Sequence, residues 1–514
     1  MLRLSLRLAV VAGAVGGAVA TVKNNKWEVS TIGLMRFGRA AVTVGKIAAD
    51  YKISLRGVSK SSLDYQTLKS EVHTRSAQKL LDLCCKNGGA FIKVGQHIGA
   101  LDYLLPQEYV STLKVLHTNA PKSPLSDILQ VIKEDLQVEP SSVFSSFEEE
   151  PIGAASLAQV HKAVLKDGRK VAVKVQHIPV RAHSVVDMAT MELLVKTVKW
   201  MFPEFSFMWV AEETKRNLPL ELDFLHEGRN AEQVKRMFSH LSWLKIPAVY
   251  WELSSPRVLT MEFCDGGQVN DKKFLEKKGI SSKEVSYRLG ELYSEMIFVQ
   301  GYIHCDPHPG NILVAQSPQG AEIILLDHGL YSTLTDKFRL QYCNLWLALL
   351  NADTKGMHYW GKQLGVGDLF GLLACIVTAR SWKAITTGID RQRKTEAESN
   401  EIRNFAAEYL PQIAAVLNKV PREMLLILKT NDLLRGIEAS LGTAGAASSF
   451  ISMSQCCVRA VSAHNMKNCA GWWCRFKVQL QRSWAETKIT LYQGYLWVKR
   501  LSLPRWVKKF LCIL

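Results

Sequence analysis

The chain reads as an α+β protein of two lobes, with a helical extension ahead of them and a largely helical second lobe. Three observations carry that expectation. Between about residues 62 and 135, apolar side chains recur every three or four positions, as in "AQKLLDLCCKNGGAFIKVGQHIGALDYLL", the period of helices with one buried face. The runs "SLAQVHKAVL" and "KVAVKVQ" flank Asp167-Gly168 and read as two strands joined by a hairpin turn. From Asp336 to about Ala463 the pattern is helical throughout. Strands grouped first and helices last give separate lobes.

The 514 residues, 47% of them hydrophobic, suffice for a large core and exclude wholesale disorder. A formal charge of +17 points to an anionic partner: nucleic acid, a membrane surface or phosphorylated small molecules. The aromatic and basic residues form no recognisable nucleic-acid module, so nucleic acid is set aside. Eleven cysteines, without a CxxC pair, read as buried reduced thiols.

Residues 1–27 form a targeting or membrane-anchor segment. Arg3, Arg7, Lys23 and Lys26 surround the apolar run Leu8–Val22, and the first acidic residue is Glu28. Its fifteen residues would span about 22 Å as a helix, short of the ~30 Å hydrocarbon core. An acid-free, arginine-bearing leader fits a mitochondrial transit peptide; Ala18-Val19-Ala20 after an apolar run fits a secretory cleavage site. The lack of any Asn-x-Ser/Thr and the unpaired look of the cysteines favour the mitochondrion.

The remaining elements follow in order. A helical extension occupies 60–148 and a strand-rich lobe 149–265, in which helical stretches run through "TMELLVKTVKWMF" and "LELDFLHEGRNAEQVKRMF". "RVLTMEF" is a short buried strand that stops at Cys264-Asp265-Gly266-Gly267. A second lobe, 266–463, begins with the helix "KEVSYRLGELYSEMIFVQ", then "HCDPHPGN", then the short strands "NILV" and "EIILLD". A basic aromatic tail, 464–514, ends the chain.

"HCDPHPGN" offers a metal site or something narrower. Pro307 and Pro309 stiffen the loop, so converging His304, Cys305, Asp306 and His308 on one zinc ion is difficult. Five residues after Asp306 stands Asn311, and sixteen after that, closing "EIILL", comes Asp327-His328-Gly329. That order is the catalytic arrangement of kinase-like phosphotransferases. One carboxylate, Asp306, orients or deprotonates the attacking oxygen. The amide oxygen of Asn311 and the carboxylate of Asp327 hold Mg²⁺ on the phosphates of ATP. Lys174, mid-strand in "VAVKV", needs a buried partner and would reach the α- and β-phosphates. "TMEFCDG" resembles a strand-to-hinge segment, with Met261 as gatekeeper and the backbones of Glu262 and Cys264 toward adenine.

Two features depart from ordinary protein kinases. The phosphate loop reads "PIGAASLAQVH", with Gly153, Ala154, Ala155 and Ser156 where glycines usually cluster. After Gly329 there is no Ala-Pro-Glu and no room for a peptide-binding activation segment. With "KVGQ" upstream, the chain resembles the aarF-domain (UbiB-like) atypical kinases over roughly residues 60 to 450. That resemblance implies a kinase-like fold in which the K-x-G-Q helix, with Lys93 and Gln96, folds over the active site and occludes protein substrates. It assigns Glu221 and Asp223 to an E-x-D motif that meets Lys93, and Glu227 as the partner of Lys174. Many relatives carry phenylalanine where His328 stands, and a polar ring there should loosen the metal turn.

His304 and Cys305 read as structural, and His308 stands where many protein kinases place a phosphate-contacting lysine. From Gly471 to Leu514 there are nine Lys/Arg, one acid and five tryptophans, and a helix after Pro504 would set aromatics against lysines as an interfacial helix on anionic lipid does. The expected function is thus an ATP- and Mg²⁺-binding atypical kinase or ATPase at a mitochondrial membrane, in lipid or coenzyme Q related metabolism. Alternatives are a nucleotide-switched scaffold for lipid or protein partners and, third, a Ser/Thr protein kinase.

Overall fold

The computed structural model describes residues 27–59, 62–99, 106–117, 122–201, 208–388, 398, 410–443 and 447–500. The apolar leader run and the segment after Pro504 lie outside them. The chain divides into two compact units, Met1–Arg229 with Ala248–Phe263 and Asn230–Pro247 with Cys264–Leu514.

The first unit opens with helices α1 (Trp27–Ser54), α2 (Leu63–Asn87), α3 (Ala90–Gly99), α4 (Gln107–Leu113) and α5 (Leu125–Leu136). Strands β1 (Phe144–Phe147), β2 (Gly153–Ala154), β3 (Ala158–Leu165) and β4 (Lys170–Gln176) follow, then helices α6 (Ile178–Met201), α7 (Met208–Glu221) and α8 (Phe224–Met237). The division between units falls inside α8. Strand β6 (Val258–Glu262) completes an antiparallel sheet of order β1-β3-β4-β6, with β2 paired to β3. The expected β3–β4 hairpin is present: Leu165 N–H donates to the Arg169 carbonyl at 2.9 Å, and Gly168 takes the positive φ of +88° that the turn requires.

Strand alternation assigns the faces of this sheet. Val171, Val173 and Val175 point to one side, where they pack with Ile128, Val131 and Ile132 of α5, Phe144 and Val258. Ala172 shares the other side with Ala158, Leu259, Met261 and Phe224 of α8. Lys174, two residues on from Ala172, belongs to that second face. The helical extension has its own core, in which Leu83, Cys84, Phe91, Ile92, Leu113 and Leu116 meet Met191 and Leu218. Helix α1, for which the sequence pattern made no case, is tied down by a buried ion pair: Arg36 Nε lies 2.8 Å from Asp187 Oδ1 on α6.

In the second unit, β5 (Leu244–Lys245) pairs parallel to β10 (Gly320–Leu325), which pairs with β9 (Ile312–Ser317) and through it with β7 (Gly267–Gln268). A two-stranded ribbon joins β8 (Tyr302–His304) to β11 (Tyr331–Thr333). The main helices are α9 (Ser282–Ser294), α10 (Asp336–Leu350), α11 (Arg422–Leu441), α12 (Ala447–Lys467) and α13 (Trp472–Arg500), with Tyr293, Phe298, Tyr342 and Trp346 buried among them. Only residues 328–335 separate Asp327 from α10, the short connection expected.

One expectation needs correction. Cys469 and Cys474 form a disulfide across the turn between α12 and α13, their Cα atoms 5.6 Å apart. A spacing of five carries no pairing signal of its own; a helix–turn–helix brings the two thiols together. Among the described residues, no helix is long and apolar enough to cross a membrane.

Candidate active site

In the first unit the site is built around Lys174. Its Nζ donates to both carboxylate oxygens of Glu227, at 2.7 and 2.9 Å, and lies 5.2 Å from the Phe224 ring centroid. Glu227 is buried in the first turn of α8, where the positive end of the helix dipole favours its charge. Met261 is buried on β6, and Glu262 closes that strand, its N–H held by the Ala248 carbonyl at 2.8 Å. Cys264, half-buried, follows directly and belongs to the second unit.

The alanine loop is shaped by backbone pairing. Gly153 and Ala154 lie opposite Val160 and Gln159, and Ala155 N–H donates to the Ala158 carbonyl at 2.8 Å. Ser156 is buried. His177, not singled out from the sequence, braces the loop: its Nε2 is 3.1 Å from the Ala155 carbonyl and its Nδ1 is 2.8 Å from Ser123 Oγ. Burial pushes the His177 pKa down, so the neutral ring donates through Nε2 and accepts at Nδ1.

The K-x-G-Q motif spans one turn of α3, and each fixed position has a contact. Lys93 Nζ is 2.6 Å from Glu221 Oε2, at the end of α7. Gly95 leaves room for Leu116: a Cβ there would fall 2.3 Å from Leu116 Cδ1, so that side chain would have to shift. Gln96 Nε2 donates to the Leu116 carbonyl at 2.9 Å. Asp223 departs from the expected pairing. Its Oδ1 accepts from Leu225 N–H at 3.1 Å and its Oδ2 lies 3.3 Å from Arg229, so it caps the start of α8 while Glu221 alone of the E-x-D pair meets Lys93.

The second unit carries the loop expected to be catalytic. Pairing of His304 with Tyr331 ties the loop's entry to the exit of the Asp327 turn. His304 is buried against the Tyr293 hydroxyl, 2.8 Å from its Nδ1, and burial holds its pKa low. Cys305 is buried, with Sγ 3.4 Å from the Ile303 carbonyl. His308 accepts at Nδ1 from Gly310 N–H at 3.2 Å and caps the turn Pro309–Asn311. Asn311 Nδ2 donates to the Asp306 carbonyl at 3.2 Å, which orients the amide. The β9–β10 register, Ile312 opposite Leu325, sets Asn311 and Asp327 across one hairpin. Asp327 Oδ1 accepts from Gly329 N–H at 2.9 Å.

His328 was expected to loosen this turn, and the packing shows the reverse. The ring is buried, with Nε2 3.2 Å from the Leu325 carbonyl and Nδ1 2.9 Å from Tyr331 Oη. Its carbonyl accepts from Asn230 Nδ2 at 2.9 Å, and Tyr302 Oη donates to Asn230 Oδ1 at 2.9 Å. A polar ring in a low-dielectric core stabilises the turn when both nitrogens are satisfied, as they are here. The sequence also missed Lys429, whose Nζ lies 3.2 Å from Asp306 Oδ1. A lone lysine after the apolar run "MLLIL" was the available signal.

Hard oxygen donors from Asn311 and Asp327 fit a Mg²⁺ ion, and the bidentate Lys174–Glu227 pair fits a lysine held ready for an anion. Comparison with known proteins shows the family. Residues 115–360 match the ABC1 atypical kinase-like domain. The chain is 54% identical over 513 residues to an AarF domain-containing protein kinase 1 of Gallus gallus, covering 99% of each chain. It is 52% identical over 487 residues to that of Xenopus tropicalis, covering 94% of this chain and 93% of the other. An AarF domain-containing kinase 1 of Drosophila melanogaster is 50% identical over 464 residues, covering 90% of each.

Proposed function

Since this chain belongs to the ABC1, or AarF-domain, family of atypical kinases, we propose that it binds ATP with Mg²⁺ and transfers or hydrolyses the terminal phosphoryl group at a mitochondrial membrane. The reading extends to lipid or coenzyme Q related metabolism and mitochondrial maintenance. The observation that carries it is the Lys174–Glu227 pair, a buried ammonium oriented on a strand by a carboxylate that its helix dipole already favours.

In this reading, Lys174 meets the α- and β-phosphates and Asp306 orients the acceptor hydroxyl or water and takes its proton. Asn311 and Asp327 would hold Mg²⁺, which neutralises phosphate charge when bound. The alanine loop, braced by His177, shapes the nucleotide's surroundings.

A membrane setting is supported by α13, which packs on α12. At about 100° per residue, Trp472, Trp473, Phe476, Leu480, Trp484 and Leu491, all exposed, fall within an arc of about 120°, opposite buried Val478. Lys477 and Lys488 border the arc, and Lys488 Nζ is 5.3 Å from the Trp484 ring. Exposed aromatics beside lysines fit an anionic lipid surface. The same arc favours the second reading, a nucleotide-switched scaffold whose output is binding.

Hydrolysis of Mg-ATP by the purified full-length chain, with and without vesicles of anionic lipid, tests both. Turnover that rises on vesicles and disappears in Asp306→Ala and Asp327→Ala is the expected result. Nucleotide binding without turnover would decide for the scaffold. Fractionation of cells expressing the tagged chain tests the mitochondrial address.

A further inference from the structure

We infer that Lys429 is a further catalytic residue: from α11 it presents a cation to the transferred phosphoryl group beside Asp306. The inference rests on the role given to Asp306 above. Its Nζ lies 3.2 Å from Asp306 Oδ1, with the two side chains 12% and 23% exposed. On its N-terminal side α11 is apolar, with Met424, Leu426, Ile427 and Leu428 all buried, while Thr430, Asn431 and Asp432 follow it. Sinking an ammonium into such a helix carries a desolvation cost, and a methionine of similar length would pack there without it.

The loop itself supplies the second half of the case. Two residues after the catalytic aspartate stands His308, whose Nδ1 is turned back to Gly310 N–H. It serves the turn that presents Asn311. Lys429 reaches the same carboxylate from 123 residues away in sequence. A cation beside Asp306 does two things there. It holds the carboxylate in one orientation, and it faces the equatorial oxygens where charge gathers during transfer.

The step balances without further reactants. A lone pair on the acceptor oxygen forms the new bond to the γ-phosphorus as the bond to the β,γ-bridging oxygen breaks. That electron pair leaves on ADP, and the acceptor's proton passes to Asp306. Lys429 remains protonated throughout.

The test is Mg-ATP turnover by the full-length chain as wild type, Lys429→Met, Lys429→Arg, Asp306→Asn and the double variant Asp306→Asn/Lys429→Met. Expected are a loss of about 10²-fold in kcat for Lys429→Met with KM for ATP changed less than about three-fold, and recovery of about ten-fold by Lys429→Arg. The double variant should be no slower than Asp306→Asn alone, because the two act as a unit. Unchanged kcat in Lys429→Met, or losses that simply multiply, would overturn the inference.

Should the wild type bind nucleotide without turning it over, the ratio of ATP to ADP affinities decides. Lys429→Met should then lose about five-fold or more of the preference for ATP, and an unchanged ratio sinks the proposal. Should Lys429→Met not fold, Lys429→Gln is measured in the same way. Full turnover in Asp306→Asn is a different failure: it overturns the role of Asp306, and this inference with it.

Discussion

Lys93–Glu221 and Lys174–Glu227 are near twins in length and burial, yet they sit in opposite electrostatic settings. The first is 2.6 Å long with side chains 13% and 8% exposed; the second is 2.7 Å with 13% and 3%. Glu221 is the last residue of α7, where the negative end of the helix dipole opposes its charge. Glu227 lies in the first turn of α8, where the dipole supports it. The first carboxylate thus depends heavily on its lysine. The second is an anion already at ease, able to keep Lys174 aimed, and in the proposed function that lysine also meets a phosphate. Two similar contacts can therefore have different jobs, one holding a helical extension together and the other presenting a charge.

The sharpest way to break the comparison is turnover. Lys174→Met should lower kcat for Mg-ATP about 10³-fold, while Lys93→Met should cost less than about ten-fold at temperatures where it stays folded. Equal losses would mean that both pairs serve the chemistry. Stability separates them next. Removing one partner of a buried pair costs about 3–5 kcal/mol, and the dipole argument places Lys93→Met at the upper end. Exchanging charges sharpens this: Lys93→Glu with Glu221→Lys should recover much of the lost denaturation midpoint, because a lysine suits the end of α7. The corresponding exchange of Lys174 and Glu227 should recover neither turnover nor stability.

A smaller effect probes the packing that sets Lys93 in place. Gly95→Ala should destabilise the first unit by about 1–3 kcal/mol, since the added methyl meets Leu116. Leu116→Ala in the same chain should give part of it back, read from urea midpoints.

The smallest effect is a pH dependence in the same extension. His73 on α2 lies between the rings of Tyr51 and Tyr109, at 5.5 and 5.7 Å, and burial pushes its pKa down to about 4. The unfolded chain binds a proton near pH 6.5, whereas the folded chain resists it until about pH 4. This contribution to stability is complete above pH 6.5 and is lost as pH falls toward 4. The ring is partly exposed, so the loss by pH 5 should be about 1 kcal/mol. His73→Asn should flatten that part of the unfolding free energy measured against pH.

Much of the architecture was legible because its signals are local. The β3–β4 hairpin announced itself by alternation and by Asp167-Gly168, and α2, α3 and α10 by their apolar period. Glu227 was placed as the partner of Lys174 through the family resemblance, and the structure joins the two. Helix α1 was not legible: with a buried Arg36–Asp187 pair among its anchors, it depends on a partner about 150 residues away. His328 was misjudged for a related reason, since its ring depends on Tyr331 and its carbonyl on Asn230 of another helix.

By itself, then, the sequence determined which chemical groups are present and in what order, because Asp306, Asn311 and Asp327 are spaced by loops and hairpins whose geometry is local. Only the tertiary structure decided that Lys429 meets Asp306, that Asp223 caps a helix while Glu221 takes Lys93, and that Cys469 finds Cys474. Spacing encodes the period of one element. Which elements pack together is set by burial and shape over the whole core, and those terms are summed over residues far apart in the chain.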